Sequence, residues 1–322
     1  MSINLLIANV SFDLSLDKNI TSYFYKRVHK IDKKTIENHD VYVTCKRVNN
    51  IFFTNEKFLF QQEPDIDDTF LYREIFDLGV FAYNRINKSL RIEYIVSERY
   101  PYDSFEVVVD TLLQFIYLIM LDFGIVPLHA SVVTYGNNSA LIFGNSGSGK
   151  TTLELSLLNS GFEFFSDDIA FMDECGTIYN SGEQLIACSN ATIDIVKSNF
   201  NMDFLQGSFE NITGKHLYEV PDRIISQYHE VNPRVILFPT LTNGEADFLE
   251  QISNKSTLIK LIQLSISNQF NSYQKQLYMK RLKLLSERTV AFRYNRASKD
   301  ENALSEVCSI IKEIFVSPEV TI

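Results

Sequence analysis

The sequence predicts an α/β protein in two parts, a β-rich domain over residues 1–103 and an α/β domain over residues 104–322. Three observations carry that expectation. Apolar and polar residues alternate through much of the first hundred positions, the period of a half-buried strand. Around Arg99-Tyr100-Pro101-Tyr102-Asp103 the pattern gives way to an apolar helical stretch, which marks the boundary. Further on, a strand runs into a glycine-rich loop and then into a helix.

Taken in order, Val41, Val43 and Cys45 alternate with polar neighbours, and so do Leu90, Ile92 and Tyr94. Phe81-Ala82-Tyr83 and residues 90–95 flank the polar turn Asn84-Arg85-Ile86-Asn87, a hairpin signal. No nucleophile–base pair or metal cluster stands out in this part, so its expected role is packing or substrate presentation. A helix follows over residues 104–122. Its apolar run, residues 112–121, is interrupted by Gln114 and bounded by Asp110 and Asp122; it is too short to span a bilayer and reads as a core helix. From Pro127 the expected order is strand (131–134), turn (Tyr135-Gly136-Asn137-Asn138), strand (139–143), loop, a helix from Thr151 to about Asn159, and strand (162–165). Ser160-Gly161 supplies the helix stop. Beyond Cys188 the pattern weakens. Residues 258–285 read as largely helical and 289–292 as a strand. A last helix puts Leu304, Val307, Ile311 and Ile314 on one face.

Composition narrows the class. The chain is 45% hydrophobic and 22% charged, the balance of a soluble globular protein. Its net charge of −10 argues against a dedicated nucleic-acid binder. Cys45, Cys175, Cys188 and Cys308 are scattered without metal-ligand spacing and read as reduced thiols of a cytoplasmic protein. The start, Met1-Ser2-Ile3-Asn4-Leu5, has no basic region of the signal-peptide kind. Neither a nucleic acid nor a membrane is expected as a partner.

The loop Gly144-Asn145-Ser146-Gly147-Ser148-Gly149-Lys150-Thr151 matches G-x-x-x-x-G-K-[ST] in full, with the strand Leu141-Ile142-Phe143 before it and a helix after it. Glycines permit positive φ and let backbone N–H groups approach phosphate oxygens. The positive end of the following helix adds attraction. Lys150 brings a full charge to the β/γ-phosphates, and the Thr151 hydroxyl suits Mg²⁺. A nucleoside triphosphate such as ATP, with Mg²⁺, is therefore the expected ligand, contacted by residues 144–152 including Thr152.

Two acidic pairs downstream compete to face the γ-phosphate. One is Asp167-Asp168; the other, Asp173-Glu174, looks like the acidic end of an ordinary ATPase strand, or else a solvated hairpin turn before Cys175-Gly176. The helix carries the chain away from the loop by about 13 Å. Five strand residues return about 17 Å, so Asp167 arrives back at the loop, at the carboxyl end of a parallel strand. If residues 169–172 then run away again, Asp173 ends on the opposite rim. Adjacent strand residues face opposite ways, so Asp167 and Asp168 both reach the site only if the strand ends at this pair.

With those residues placed, Leu128-His129-Ala130-Ser131, the loop through Thr151, and Ser166-Asp167-Asp168 resemble the core of HPr kinase/phosphorylase, in the group of kinases related to phosphoenolpyruvate carboxykinase. The order and both intervals, His129 to Lys150 and Lys150 to Asp167, match that family. The resemblance covers residues 129–168 and, more loosely, the rest of the C-terminal two-thirds. It implies an α/β P-loop kinase core of the HPr kinase type with an N-terminal β-rich domain. It also implies that Asp167 takes the proton from a substrate serine, that Asp168 helps hold Mg²⁺, that Lys150 neutralises the transferred phosphoryl group, and that His129 sits close to the reacting phosphate. Taken alone, His129 reads as a core histidine. The bifunctional enzymes carry a downstream Glu-Arg-Gly, which Leu185-Ile186-Ala187-Cys188-Ser189-Asn190-Ala191-Thr192 lacks. In that respect the chain is similar to the stand-alone HPr-kinase-like enzymes of bacterial peptide-maturation clusters, including lasso peptide kinases. Lys215, Arg223 and Arg234 are candidates to complete the positive charge, and each also reads as a solvated surface charge.

The expected function is an ATP-dependent kinase acting on a serine hydroxyl of a peptide or protein, with Tyr100 and Tyr102 as substrate lining and a homo-oligomer left open. The alternatives are a nucleotide hydrolase or switch that uses Asp173-Glu174, and a small-molecule kinase on the same scaffold. A catalytically silent binding protein fits less well with intact Lys150, Thr151, Asp167 and Asp168.

Overall fold

Alternation in the first part builds a six-stranded sheet in the computed structural model. The structure describes residues 2–28, 40–48, 70–75, 78–96, 104–190, 192–194, 206–210, 215–242, 248–265, 271–296 and 301–316. The boundary residues 99–103, with Tyr100 and Tyr102, lie outside them. The strands are β1 (Ser2–Ile7), β2 (Val10–Leu16), β3 (Val41–Arg47), β4 (Phe70–Ile75), β5 (Gly79–Asn84) and β6 (Ser89–Tyr94), in the order β1-β2-β3-β6-β5-β4. Val41, Val43, Cys45, Leu90, Ile92 and Tyr94 are all buried, as their alternation requires. The β5–β6 hairpin forms where it was expected, and the Asn84 side chain closes its turn by accepting the N–H groups of Ile86 and Asn87. Helix α1 (Lys18–Arg27), which alternation does not reveal, starts on Asp17, whose carboxylate accepts the N–H groups of Asn19 and Ile20.

The chain divides into two compact units, Met1–Phe123 with Ser267–Gln274, and Gly124–Ile266 with Lys275–Ile322. Helix α2 (Ser104–Asp122), which the boundary at residue 103 assigned to the second domain, is counted in the first unit. Its Phe115 ring stacks on Phe81 with centroids 5.6 Å apart, and Asp122 pairs with Arg85 at 3.0 Å. By length and composition alone α2 is apolar enough to cross a membrane, but 61% of that stretch is buried inside the protein, which is how a core helix meets the same test.

Among its described residues the second unit is a mixed α/β structure with two sheets. In chain order its strands are β7 (Val126–Tyr135), β8 (Asn138–Phe143), β9 (Glu163–Ser166), β10 (Ile169–Met172), β11 (Ile178–Asn180), β12 (Leu185–Cys188), β13 (Gln206–Glu210), β14 (His216–Glu219), β15 (Glu230–Leu241), β16 (Phe248–Ile252) and β17 (Val290–Arg296). The larger sheet runs β11-β10-β7-β8-β15-β17-β16, with β9 also on β7, and β12-β14-β13 form a small one. Among the described residues, the β8–β15 and β15–β17 pairs are the parallel ladders of the larger sheet. Helix α3 (Lys150–Asn159) and the last helix, Glu301–Val316, share one core with the sheet, which includes Leu153, Leu157, Ile142, Leu237, Leu304 and Ile311. Gly161, at φ 90°, ends α3 in the left-handed conformation that the Ser160-Gly161 signal implied. Residues 258–285 are largely helical as expected, in two helices, Asn254–Ser265 and Ser272–Arg288. The second has its own start, where Asn271 and Gln274 exchange capping hydrogen bonds.

One expectation about the path of the chain needs correcting. β9 is not paired in a parallel ladder; it runs antiparallel to β7, and so does β10. The two are therefore collinear along one edge of β7, and Asp167-Asp168 interrupt a continuing strand instead of ending one. The chain does not turn back after residue 168. Asp173 still lies away from the loop, because β10 carries it onward to the level of Val126.

Candidate functional site

Strand β7 acts as the crossbeam of the site. On one side Ala130 lies opposite Phe143, the last residue of β8 before the glycine-rich loop. On the other side Val132 lies opposite Ser166, and His129 opposite Ile169, the residues that bracket the acidic pair. Loop and acidic pair are thus set against the same few residues of one strand.

The loop's glycines answer to geometry. Gly147 and Gly149 have φ of 81° and 96°, a region costly for any residue with a Cβ, and Gly149 is the N-cap of α3. A Cβ on Gly144 would collide with Ser148. Thr151 is partly exposed on the first turn of α3 and Thr152 is buried beside it. Lys150 is almost wholly buried, yet its Nζ donates to Asp168 Oδ1 at 2.6 Å. His129 Nε2 stands 3.7 Å from the same oxygen.

Asp168 has φ 59°, outside strand geometry. That break suspends the alternation that would send adjacent side chains to opposite faces. Ile169 N–H donates to the Asp167 carbonyl at 2.7 Å, and the Ser166 hydroxyl bonds to the Ile169 carbonyl, fastening the interruption. Asp167 turns inward and is buried. Its Oδ1 accepts the Ser131 hydroxyl and the Asp168 N–H, each at 2.8 Å, and its Oδ2 accepts the Ala187 N–H of β12 at 3.1 Å.

Electrostatics divide the two carboxyls. Burial, then the neighbouring Asp168 charge, raises Asp167 above the ordinary carboxylate range against the opposing pull of Lys150. At Asp168 burial also pushes up, but the Lys150 ammonium at hydrogen-bond distance outweighs it and the pKa falls. Lys150 loses affinity for its proton through burial and regains more from Asp167 and Asp168, so it stays charged. Burial and then the Lys150 charge lower the pKa of His129.

Of the three candidate cations, Lys215 is the one whose charge is felt at the site, lowering the pKa of both His129 and Asp168. It precedes β14, which pairs with β12, the strand that touches Asp167. Arg234 donates to the Phe315 carbonyl at 3.1 Å, beside Pro233, which is paired with Ser139 at the start of β8 and so at the end away from the loop. Arg223 is exposed on the 3₁₀ turn Asp222–Ile224. Asp173 caps a turn: it accepts the N–H groups of Cys175 and Thr177, both at 2.9 Å, and the Tyr179 hydroxyl at 3.1 Å.

Two residues escaped the sequence reading. Ser131 lay in the quoted motif without a role, and it is the donor that fixes Asp167. Glu154, within the helix after the loop, was given no role, and it is 0% exposed with its carboxyl beside Asp167 and Ser131. The signal was available: four residues after Lys150, it falls on the same face of the helix. Among the described residues no group of three His, Cys, Asp or Glu side chains is arranged to hold a metal by itself. A Mg²⁺ ion that arrives with phosphates needs only one or two protein oxygens, and the partly exposed Thr151 hydroxyl and Asp168 carboxylate are of that kind.

No family model matches the chain, and no curated protein matches it. Among solved structures, the Hpr(Ser) kinase/phosphatase from Coxiella burnetii is similar to it, at 12% identity over 58% of this chain and 88% of that one, with a TM-score of 0.29. A likeness that distant carries no weight for function, which rests on the residues described above.

Proposed function

We propose that the second unit is an ATP-dependent kinase that transfers the γ-phosphoryl group to a serine hydroxyl of a peptide or protein. The observation that carries this reading is the convergence of Lys150, His129, Asp167 and Asp168 beside a glycine-rich loop, imposed by the register of β7. Lys150 and Asp168 neutralise each other at rest. With a nucleotide bound, Lys150 would be the cation for the phosphate oxygens, and Asp168 and Thr151 would hold Mg²⁺. The metal, when bound, supplies positive charge to the phosphate oxygens.

Asp167 serves as the base. Its raised proton affinity is the property required of a group that must accept a hydroxyl proton near neutral pH. Oδ2 accepts one N–H and keeps a lone pair for that proton. His129, neutral and exposed, donates to a phosphate oxygen, and Lys215 adds a second cation. A polypeptide acceptor follows from the resemblance to kinases of peptide maturation. The turn-capping role of Asp173 counts against a hydrolase built on Asp173-Glu174.

Incubating the protein with Mg²⁺ and γ-labelled ATP in host lysate tests the reading. Label on serine in a polypeptide is expected. Label confined to small molecules replaces it with a metabolite kinase, and ATP consumption with no labelled acceptor replaces it with a hydrolase.

A further inference from the structure

One carboxyl in the second unit has no part in the scheme above. Glu154 sits one helical turn beyond Lys150, is 0% exposed, and neither of its oxygens has a hydrogen-bond donor. Its neighbours are Asp167 and Ser131. The Ser131 hydroxyl has a single proton, and that proton goes to Asp167 Oδ1. Lys150, the nearest cation, is engaged with Asp168. An ionised carboxylate enclosed in this way would have lost its water in return for only a share of the Ser131 hydroxyl and the Lys150 charge, both already engaged with the aspartates. As a neutral acid it has an O–H to give, and the anionic oxygen of Asp167 beside it is the strongest acceptor within reach.

We propose that Glu154 is a positioning residue for the base: a neutral carboxylic acid that donates its O–H to the Asp167 carboxylate, a role that rests on the kinase reading. Ser131 is the neighbour both carboxyls share, and it bonds to Asp167 Oδ1, while Oδ2 is held by the Ala187 N–H. The bond from Glu154 fixes the rotation of the Asp167 side chain. The direction for Glu154 itself agrees: burial, and then the Asp167 charge, raise it well above the ordinary glutamate range.

The test compares Glu154→Gln, which keeps a neutral donor, with Glu154→Met, which keeps bulk and no donor. Infrared difference spectra of native against Glu154→Gln protein at neutral pH should contain a protonated-carboxyl C=O band. Glu154→Gln should retain near-native kcat, while Glu154→Met should lose roughly 10–100-fold in kcat with KM for ATP unchanged, the usual cost of removing a group that orients a reacting residue. The idea is overturned if the band is absent, if Gln is as damaging as Met, or if Met is as active as native. A merely structural role would move stability or KM and leave no rescue by Gln. A native protein that transfers no phosphoryl group overturns the kinase reading and the positioning role with it, and the band then decides only whether Glu154 is a neutral acid.

Discussion

Two acidic pairs lie on one extended path along the same edge of β7, and only one of them stands beside the glycine-rich loop. Asp167-Asp168 stand where the crossbeam presents His129 and Ser131 and where the glycine-rich loop delivers Lys150. Asp173-Glu174 stand past the far end of β10, beyond the residue opposite Val126, where Asp173 gathers turn N–H groups. The residue types are nearly the same. What differs is the neighbouring strand and the cation at hand. Adjacent carboxyls driven in opposite directions, Asp167 up and Asp168 down, are the arrangement expected where one group is to take a proton and the other is to stay charged.

The sharpest way to break this contrast is to remove one charge from each pair. Asp167→Asn should bind ATP nearly as native protein does and lose about 10²–10⁴-fold in phosphoryl transfer, the usual contribution of a general base. Asp173→Asn should keep most of the activity. Initial rates with saturating Mg·ATP decide it, and an inactive Asp173→Asn beside an active Asp167→Asn would reverse the assignment.

Lys150→Ala asks whether the loop supplies what distinguishes the first pair. A ligand at 100 times its Kd stabilises the folded state by about 2.7 kcal/mol. Native protein should show that gain as a rise in Tm with Mg·ATP, and Lys150→Ala should lose most of it while the apo protein stays folded. An undiminished shift would detach the loop from nucleotide binding.

How much of this was legible beforehand follows from the physics of each feature. The loop was legible because positive φ at Gly147 and Gly149 and a crowded Gly144 leave few residue choices. The β5–β6 hairpin was legible through alternation and a polar turn. The collinear run of β9 and β10 was not, because two short strands and a left-handed Asp168 look in one dimension like a strand end. The role of Ala187, and the choice of Lys215 over Arg223 and Arg234, were hidden for another reason. Ala187 and Lys215 reach the site through the small β12-β14-β13 sheet, whose pairing is long-range and leaves no local period. Glu154 is the exception, since its helical spacing from Lys150 was readable and only its burial was not.

The pH dependence of folding sharpens the contrast at the buried side of the first pair. Glu154 binds its proton more tightly in the folded protein than in the unfolded chain, whose ordinary value is 4.5. Above that pH the folded state therefore holds more protons, and stability falls as pH rises until the folded group ionises. Native stability relative to Glu154→Gln should decline across that window by up to about 1.4 kcal/mol per pH unit. Urea unfolding of both proteins without nucleotide, at several pH values upward from 5, reads the difference directly. Parallel profiles would mean that the buried carboxyl is ionised in the folded state.

The smallest effect belongs to the other pair. Asp173 holds the turn between β10 and β11 by accepting the N–H groups of Cys175 and Thr177 and the Tyr179 hydroxyl. The turn is partly exposed, so water replaces much of what is lost when the acceptor is removed. Asp173→Ala should therefore cost about 1 kcal/mol of stability, the typical net value of such hydrogen bonds. Gly176, at φ 83° in the same turn, stays in place and preserves its shape, so the register of Met172 with Ile178 should survive. Asp167 and Asp168, upstream on the same path and held independently through Ser131, Ala187 and Lys150, should not feel the change. The combination expected is a lowered urea midpoint with transfer kinetics at saturating ATP unaltered. A Asp173→Ala protein of native stability and reduced turnover would show that this pair contributes to chemistry after all, and that the division of labour along β7 is drawn in the wrong place.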